Sequence, residues 1–151
     1  MPEIKIACIY SDTETALERY AELSSKIDFV DPEKADVIIV LGGDGFMLLA
    51  LHDYHHLGKP LYGMNCGSVG FLLNEFSDKD VRGKILKAKE HILFPLHMKA
   101  KLDNGDTVEA LAFNEVSILR RSRQTASIRL IVNGIERISR LVGDGILVAT
   151  P

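Results

Sequence analysis

The sequence predicts an α/β N-terminal domain with a parallel sheet and flanking helices, followed by an incomplete all-β sandwich domain, α+β overall. Three observations predict it. Up to residue 90, apolar residues fall in short unbroken runs or recur at helical spacing; after it they alternate with period two. The mostly apolar run IKIACIY at 4–10, rich in isoleucine, and the continuous run VIIVL at 37–41 read as strands covered on both faces. Asn104-Gly105 and Asn133-Gly134 each join alternating segments, which marks hairpins. The expected domains are therefore 1–90 and 91–151, with the second cut short.

Element by element, residues 4–10 read as a strand. Ser11 and Glu14 then offer a capping box for a helix with Ala16, Leu17, Tyr20, Ala21, Leu23 and Ile27 on its apolar side. The run 37–41 is a second buried strand, 46–54 a helix and 61–64 a short strand. Residues 77–90 read as a helix capped by Ser77, with Val81, Ile85 and Ala88 inward; Gly83 inside it costs about 1 kcal/mol relative to alanine. This β-α alternation argues for helices packed on a parallel sheet. From Ile92 to Leu102 every second residue is apolar, a half-buried strand. Residues 108–113 return from the Asn104-Gly105 turn, 128–132 lead into the Asn133-Gly134 turn, and 146–149 form a last strand before Thr150-Pro151. A β layer ending there leaves strand edges that invite association.

Composition narrows the function classes. Of 151 residues 46% are apolar, enough for a core, and the formal net charge is −3, which argues against a general nucleic-acid binder. The start, Met1-Pro2-Glu3, lacks the basic and apolar regions of a signal peptide, and no apolar run is long enough to span a bilayer. Two cysteines, Cys8 and Cys66, are too few for a zinc ribbon and fit reduced thiols in a cytoplasmic protein.

The chemistry-bearing signal is Gly42-Gly43-Asp44-Gly45, between VIIVL and FMLLALHDY. A loop at the carboxyl end of a parallel strand opens on the ligand side of an α/β sheet. Gly42, Gly43 and Gly45 let the backbone approach a phosphate, and the following helix offers its positive end. Asp44 in such a loop binds a metal-bridged phosphate, accepts a proton from an attacking hydroxyl, or merely caps the helix. A second glycine-rich loop, Gly63 to Leu72, also follows a strand, yet fits neither a dinucleotide fingerprint nor a P-loop. Asn114-Glu115 ends an apolar strand, where an amide can read an adenine edge and a carboxylate can hold ribose hydroxyls; an ordinary strand end is the plainer reading. Gly143-Asp144-Gly145 is a turn carrying an acid.

Taken together, Gly42 to Leu48, Gly70-Phe71-Leu72, Asn114 to Ser117, and Gly143-Asp144-Gly145 with Ala149-Thr150-Pro151 occur in the order and at the spacings of the NAD kinase family, which the chain resembles over nearly its whole length. The first motif alone is shared with diacylglycerol and sphingosine kinases. The resemblance implies an enzyme that transfers a phosphoryl group from ATP or polyphosphate to the 2′-hydroxyl of the adenosine ribose of NAD. It implies Asp44 as proton acceptor, Gly45 against the dinucleotide, Phe71 near the adenine, Asn114 and Glu115 on adenine and ribose, and Asp144 at the nicotinamide end. It further implies Mg²⁺ with ATP rather than a metal held by the protein, no nucleic-acid or membrane partner, and a homodimer or homotetramer. Relatives continue past the Thr-Pro with Gly-Ser-Thr-Ala-Tyr, so this chain is expected to be a fragment, inactive alone. Cys66 stands where relatives often carry a polar or basic residue.

Two other readings stay open: a lipid kinase of the diacylglycerol kinase type, and a non-catalytic dinucleotide-binding module. Asn114-Glu115 speaks against the first, since a lipid alcohol needs no adenine-ribose reader. His52, His55 and His56 read as exposed helix-end histidines rather than a zinc site. Arg120, Arg121 and Arg123 read as a solvated turn, with a phosphate-donor or intersubunit contact as the alternative. Lys84, Lys87 and Lys89 form a solvated helix face.

Overall fold

A computed structural model of the chain describes residues 4–68 and 70–150. Residues 1–3, Val69 of the second glycine-rich loop and Pro151 of the last motif lie outside the described residues. The chain divides into two compact units, Met1–Ile92 and Leu93–Pro151.

The first unit is built on a parallel sheet in the order β1 (Ile6–Tyr10), β2 (Val37–Gly42), β3 (Leu61–Asn65), β4 (Asn74–Glu75). Tyr10 is level with Leu41, and Leu41 with Met64, so the carboxyl ends of the strands share one edge. Every residue of β2 is buried. On one face Val37, Ile39 and Leu41 pack with Ala16 and Leu23 of α1 (Glu14–Ser24) and Val81 of α3 (Val81–Lys87). On the other, Ile38 packs with Ala7 and Ala35, and with Tyr54 at the end of α2 (Asp44–Tyr54). Each large aliphatic side chain so buried contributes about 1.5–3 kcal/mol relative to exposure.

Three local expectations are corrected. The cap of α1 is Thr13, whose hydroxyl accepts from Ala16 N–H at 3.4 Å, not Ser11; the Ser11 amide is instead spent on Leu41 O at 2.9 Å. The buried stripe of α1 is narrow: Ala16, Tyr20 and Leu23 pack into the core, while Leu17 and Ala21, one position round the helix, are exposed; Ile27 is buried in the same core but lies past the end of the helix. The third helix spans only Val81–Lys87. Ser77 Oγ accepts from Lys79 N–H in a local turn (3.3 Å), and Asp80, with φ 49°, is the N-cap. A Cβ on Gly83 would lie 2.4 Å from the Asp80 carboxylate oxygens, which accounts for a glycine inside this helix, and Ala88 is already extended and exposed.

The second unit is antiparallel throughout. β5 (Leu96–Lys101) pairs with β6 (Thr107–Ala112), β8 (Ala126–Val132) with β9 (Ile135–Gly143), and β7 (Glu115–Leu119) with β10 (Gly145–Ala149). Both Asn-Gly turns form. Gly105 takes φ 92° in the loop closed by Leu102 N–H to Asp106 O (2.8 Å). Asn133 and Gly134 take φ 52° and 77°, the left-handed pair that matches strand twist in a two-residue hairpin. In β5 the half-buried and exposed residues alternate as expected, but the strand begins at Leu96; Ile92 and Phe94 lie outside it, 78% and 80% exposed. Pro95, without an N–H, marks that boundary. Among the described residues no helix is long and apolar enough to cross a membrane, and both cysteines are free.

Candidate functional site

β2 ends at Gly42 and α2 begins at Asp44, so Gly43 alone makes the turn and is the N-cap. Asp44 is therefore the first helical residue and does not cap its own helix. Its carboxylate turns to the second glycine-rich loop. The Phe71 amide donates to Oδ2 at 2.9 Å and to Oδ1 at 3.1 Å, and the Leu72 amide donates to Oδ1 at 3.0 Å. Hydrogen bonds to an ionised acceptor are about twice as strong as neutral ones. This one side chain thus ties together the two loops singled out in the sequence.

The loops are also stitched by backbone and by close packing. Cys66 N–H donates to Gly42 O at 2.9 Å, Gly67 N–H to Asn65 Oδ1 at 2.9 Å, and Asn74 Nδ2 to Gly63 O at 3.0 Å. A Cβ on Gly42 would lie 2.8 Å from Phe46 Cδ1, and one on Gly63 would lie 2.3 Å from Leu73 Cδ2. These two glycines are explained inside the fold. Gly43 and Gly45 are not: a Cβ on either meets nothing within 4 Å, and neither has a left-handed φ. The space above them is open, at the amino end of α2 and beside the Asp44 carboxylate.

Phe71 is 92% exposed although its amide is anchored on Asp44. Burial pushes the Cys66 thiol above its ordinary range, with Arg19 opposing, so this cysteine is a neutral anchor of the loop. Burial also pushes Cys8 up, to about 12. A separate cavity of about 310 Å3 between β1 and α2 is lined by Tyr10, Phe46, Leu49 and Tyr54 among others, without Asp44. Among the described residues no group of three His, Cys, Asp or Glu side chains could hold a metal ion, His52, His55 and His56 included.

In the second unit, Asn114 and Glu115 are adjacent in space as in sequence: Asn114 Nδ2 donates to Glu115 Oε2 at 3.1 Å. Thr150 N–H closes on Asn114 O at 2.9 Å, which brings the Asn-Glu pair to the end of β10. Asp144 sits at the other end of the same ribbon, since Gly145 is level with Leu119 while Ala149 is level with Glu115. At about 3.4 Å per residue the two ends are about 14 Å apart. Asp144 is paired with Arg120, whose N–H donates to Asp144 O at 2.8 Å and whose Nε donates to Asp144 Oδ1. Gly145 has an internal reason, because a Cβ there would overlap Ile118 O.

Of the residues singled out in the sequence, the structure brings Asp44, Gly42, Gly43, Gly45 and Phe71 together; sequence reasoning did not anticipate their supports: the Leu72 amide as second donor, Leu73 as the wall against Gly63, and the amides Asn65 and Asn74. The signal for the amides was a polar residue closing the strand YGMN and another just past GFLL.

The family model for the ATP-NAD kinase N-terminal domain matches residues 5–91. Relatives include NAD kinases of Brucella melitensis, 48% identical over 95% of this chain, and of Rickettsia canadensis, 48% identical over 97%. The chain spans 56% and 58% of their lengths, a little over half. Among solved structures, an NAD kinase from Archaeoglobus fulgidus in complex with ATP is 25% identical with a TM-score of 0.66, over 97% of this chain and 60% of that one. Yeast NADH kinase complexed with NADH is 18% identical, also with a TM-score of 0.66, over 99% of this chain and 58% of that one, a likeness of fold. With that domain matched over more than half of its length, on the loops just described, the chain belongs to the NAD kinase family.

Proposed function

We propose that the chain carries catalytic and dinucleotide-binding groups of an NAD kinase. In this reading the 2′-hydroxyl oxygen of the adenosine ribose of NAD attacks the terminal phosphorus of ATP or polyphosphate. Asp44 takes the hydroxyl proton, the bond from that phosphorus to its bridging oxygen breaks, and ADP or a shortened polyphosphate leaves as NADP forms. The observation that carries it is the Asp44 carboxylate held on the Gly42–Gly45 turn by the Phe71 and Leu72 amides, with open space over Gly43 and Gly45. An ionised carboxylate has about four acceptor sites, so the two amides leave capacity for a ribose hydroxyl while fixing where it must come. The phosphates of the donor suit the amino end of α2.

The remaining roles follow the same reading. The exposed Phe71 ring stacks on the adenine, Asn114 and Glu115 bind adenine and ribose, and Asp144 lies toward the nicotinamide. The metal is part of the MgATP substrate, keeping most of its waters. A cytoplasmic homodimer or homotetramer completes the proposal.

The experiment is calorimetric titration with NAD, using AMP and a diacylglycerol as controls, together with an assay of NADP formation. Saturable NAD binding, weakened by Asn114→Ala or Glu115→Ala, is the expected result. Asp44→Asn should lower kcat by about 10²–10⁴ while changing NAD affinity far less. ATP consumption driven by diacylglycerol and not by NAD would overturn the reading in favour of a lipid kinase. A full-rate Asp44→Asn enzyme would remove Asp44 from the mechanism.

A further inference from the structure

We infer that Asn65 and Gly70 are positioning residues for the Asp44 carboxylate: Asn65 clamps the loop that follows β3, and the bare Cα of Gly70 is the seat on which that carboxylate rests. Neither residue has a part in the reaction as proposed. The inference deepens that reaction and rests on it for what Asp44 does once it is in place. Asn65 closes β3 and is level with Gly42 at the end of β2, so its side chain starts from the same sheet edge as the Gly42–Gly45 turn. Its Oδ1 accepts from Gly67 N–H at 2.9 Å, and the neighbouring Cys66 N–H is tied to Gly42 O. The start of the loop is thereby fixed to both strands.

The far end of the loop returns onto the same amide. A Cβ on Gly70 would lie 3.2 Å from Asp44 Oδ1, 3.4 Å from Asn65 Cγ and 3.4 Å from Leu73 Cδ1. Three side chains thus converge on one bare Cα, and a methyl group there would crowd the Asp44 carboxylate first. None of the three gives way freely. Asp44 is held by the Phe71 and Leu72 amides, Asn65 by Gly67 N–H, and Leu73 by its packing on Gly63. Phe71 and Leu72 directly follow Gly70, so whatever places Gly70 also places the two amides that Asp44 accepts. A carboxamide suits the post at residue 65. Its oxygen accepts from Gly67 as a carboxylate would, without setting beside Asp44 a second negative charge that would disfavour ionisation of both. Such placement matters because a misplacement of about 1 Å can cost about 10² in rate.

The test reads the hold on the carboxylate without any ligand. Hydrogen exchange of the backbone amides is followed by NMR in the 151-residue chain and in Asn65→Leu, Gly70→Ala and the double variant. Leucine keeps the bulk of the side chain and removes the acceptor. The Phe71 and Leu72 amides should lose at least about tenfold in protection in each single variant, as expected when hydrogen bonds to a charged group are broken. The amides of Ile39 and Val40 in β2 should stay within about twofold, since local opening leaves the core strands closed. The double variant should lose little more than either single one, because both residues act at one seat. Undiminished protection of Phe71 and Leu72 in either single variant would overturn the inference. An equal loss in β2 would overturn it too, by making Asn65 and Gly70 general supports of the fold, and losses that simply add would refute the shared seat. In the assay of NADP formation, Gly70→Ala should lower kcat at least about tenfold while the KM for NAD changes less than about threefold. Selective loss of protection with an undiminished kcat would uphold the positioning and sink the role of Asp44 as proton acceptor alone.

Discussion

Gly45→Ala separates structural from functional reasons for a glycine. Gly45 is the second residue of α2, has no left-handed φ, and a Cβ on it meets nothing within 4 Å. Within the fold, alanine is the better residue: glycine in a helix costs about 0.5–1 kcal/mol relative to it. The substitution should therefore stabilise the first unit by up to about 1 kcal/mol, which for a unit of this size raises Tm by about 4–8 °C. All α-helices among the described residues lie in that unit, so ellipticity at 222 nm on heating reads it selectively. The added methyl group stands where a dinucleotide would approach, so NAD affinity should fall by tenfold or more while Tm rises. A lower Tm would show that the space around Gly45 is not open. A higher Tm with undiminished NAD binding would refute the argument that this glycine is kept for a ligand.

Gly63→Ala should destabilise the first unit by about 1–3 kcal/mol through overpacking, because its Cβ would lie 2.3 Å from Leu73 Cδ2; the Gly63→Ala/Leu73→Ala pair should recover part of that loss, read as a coupling in a double-mutant cycle. Burial raises the Cys8 thiol to about 12 from an ordinary value of 9.0, so the folded chain keeps a proton that the unfolded chain gives up. The associated stability is complete below pH 9 and is lost as pH rises toward 12, at about 1.4 kcal/mol per pH unit; Cys8→Ala should flatten urea-unfolding stability between pH 9 and 10. The same burial predicts that iodoacetamide at pH 8.5 modifies Cys66 before Cys8 in the native chain and both equally in urea.

The sheet was legible because the physics that makes it is local. VIIVL can only be a covered strand, and the structure buries all of β2. The Asn-Gly turns were equally legible, since few residues other than glycine and asparagine tolerate φ 77° or 52°. Helix ends were not. Ser11 and Ser77 each carry cap chemistry, but the Ser11 amide is committed to Leu41 O and the Ser77 hydroxyl to a local turn. Those contacts depend on distant or irregular backbone that no window of sequence reveals. The strand expected from Ile92 failed for a related reason: apolar alternation fixes which face a residue takes once paired, not whether a partner strand reaches it.

The site shows the same division more sharply. The residue types of both glycine-rich loops were readable, but their connection was not, because 27 residues separate Asp44 from Phe71. What joins them is register. Gly42 is level with Asn65, so the loops leaving β2 and β3 emerge side by side at the same sheet edge. An acid two residues past β2 is then within reach of amides six and seven residues past β3. Asp44 holds its partner loop by accepting two of its amides, and those same bonds aim its remaining lone pairs. In the proposed mechanism, structural and chemical roles therefore fall on one carboxylate. A substitution that keeps its shape but not its charge tests the chemistry, whereas truncation to alanine would disturb both loops together and test neither role cleanly.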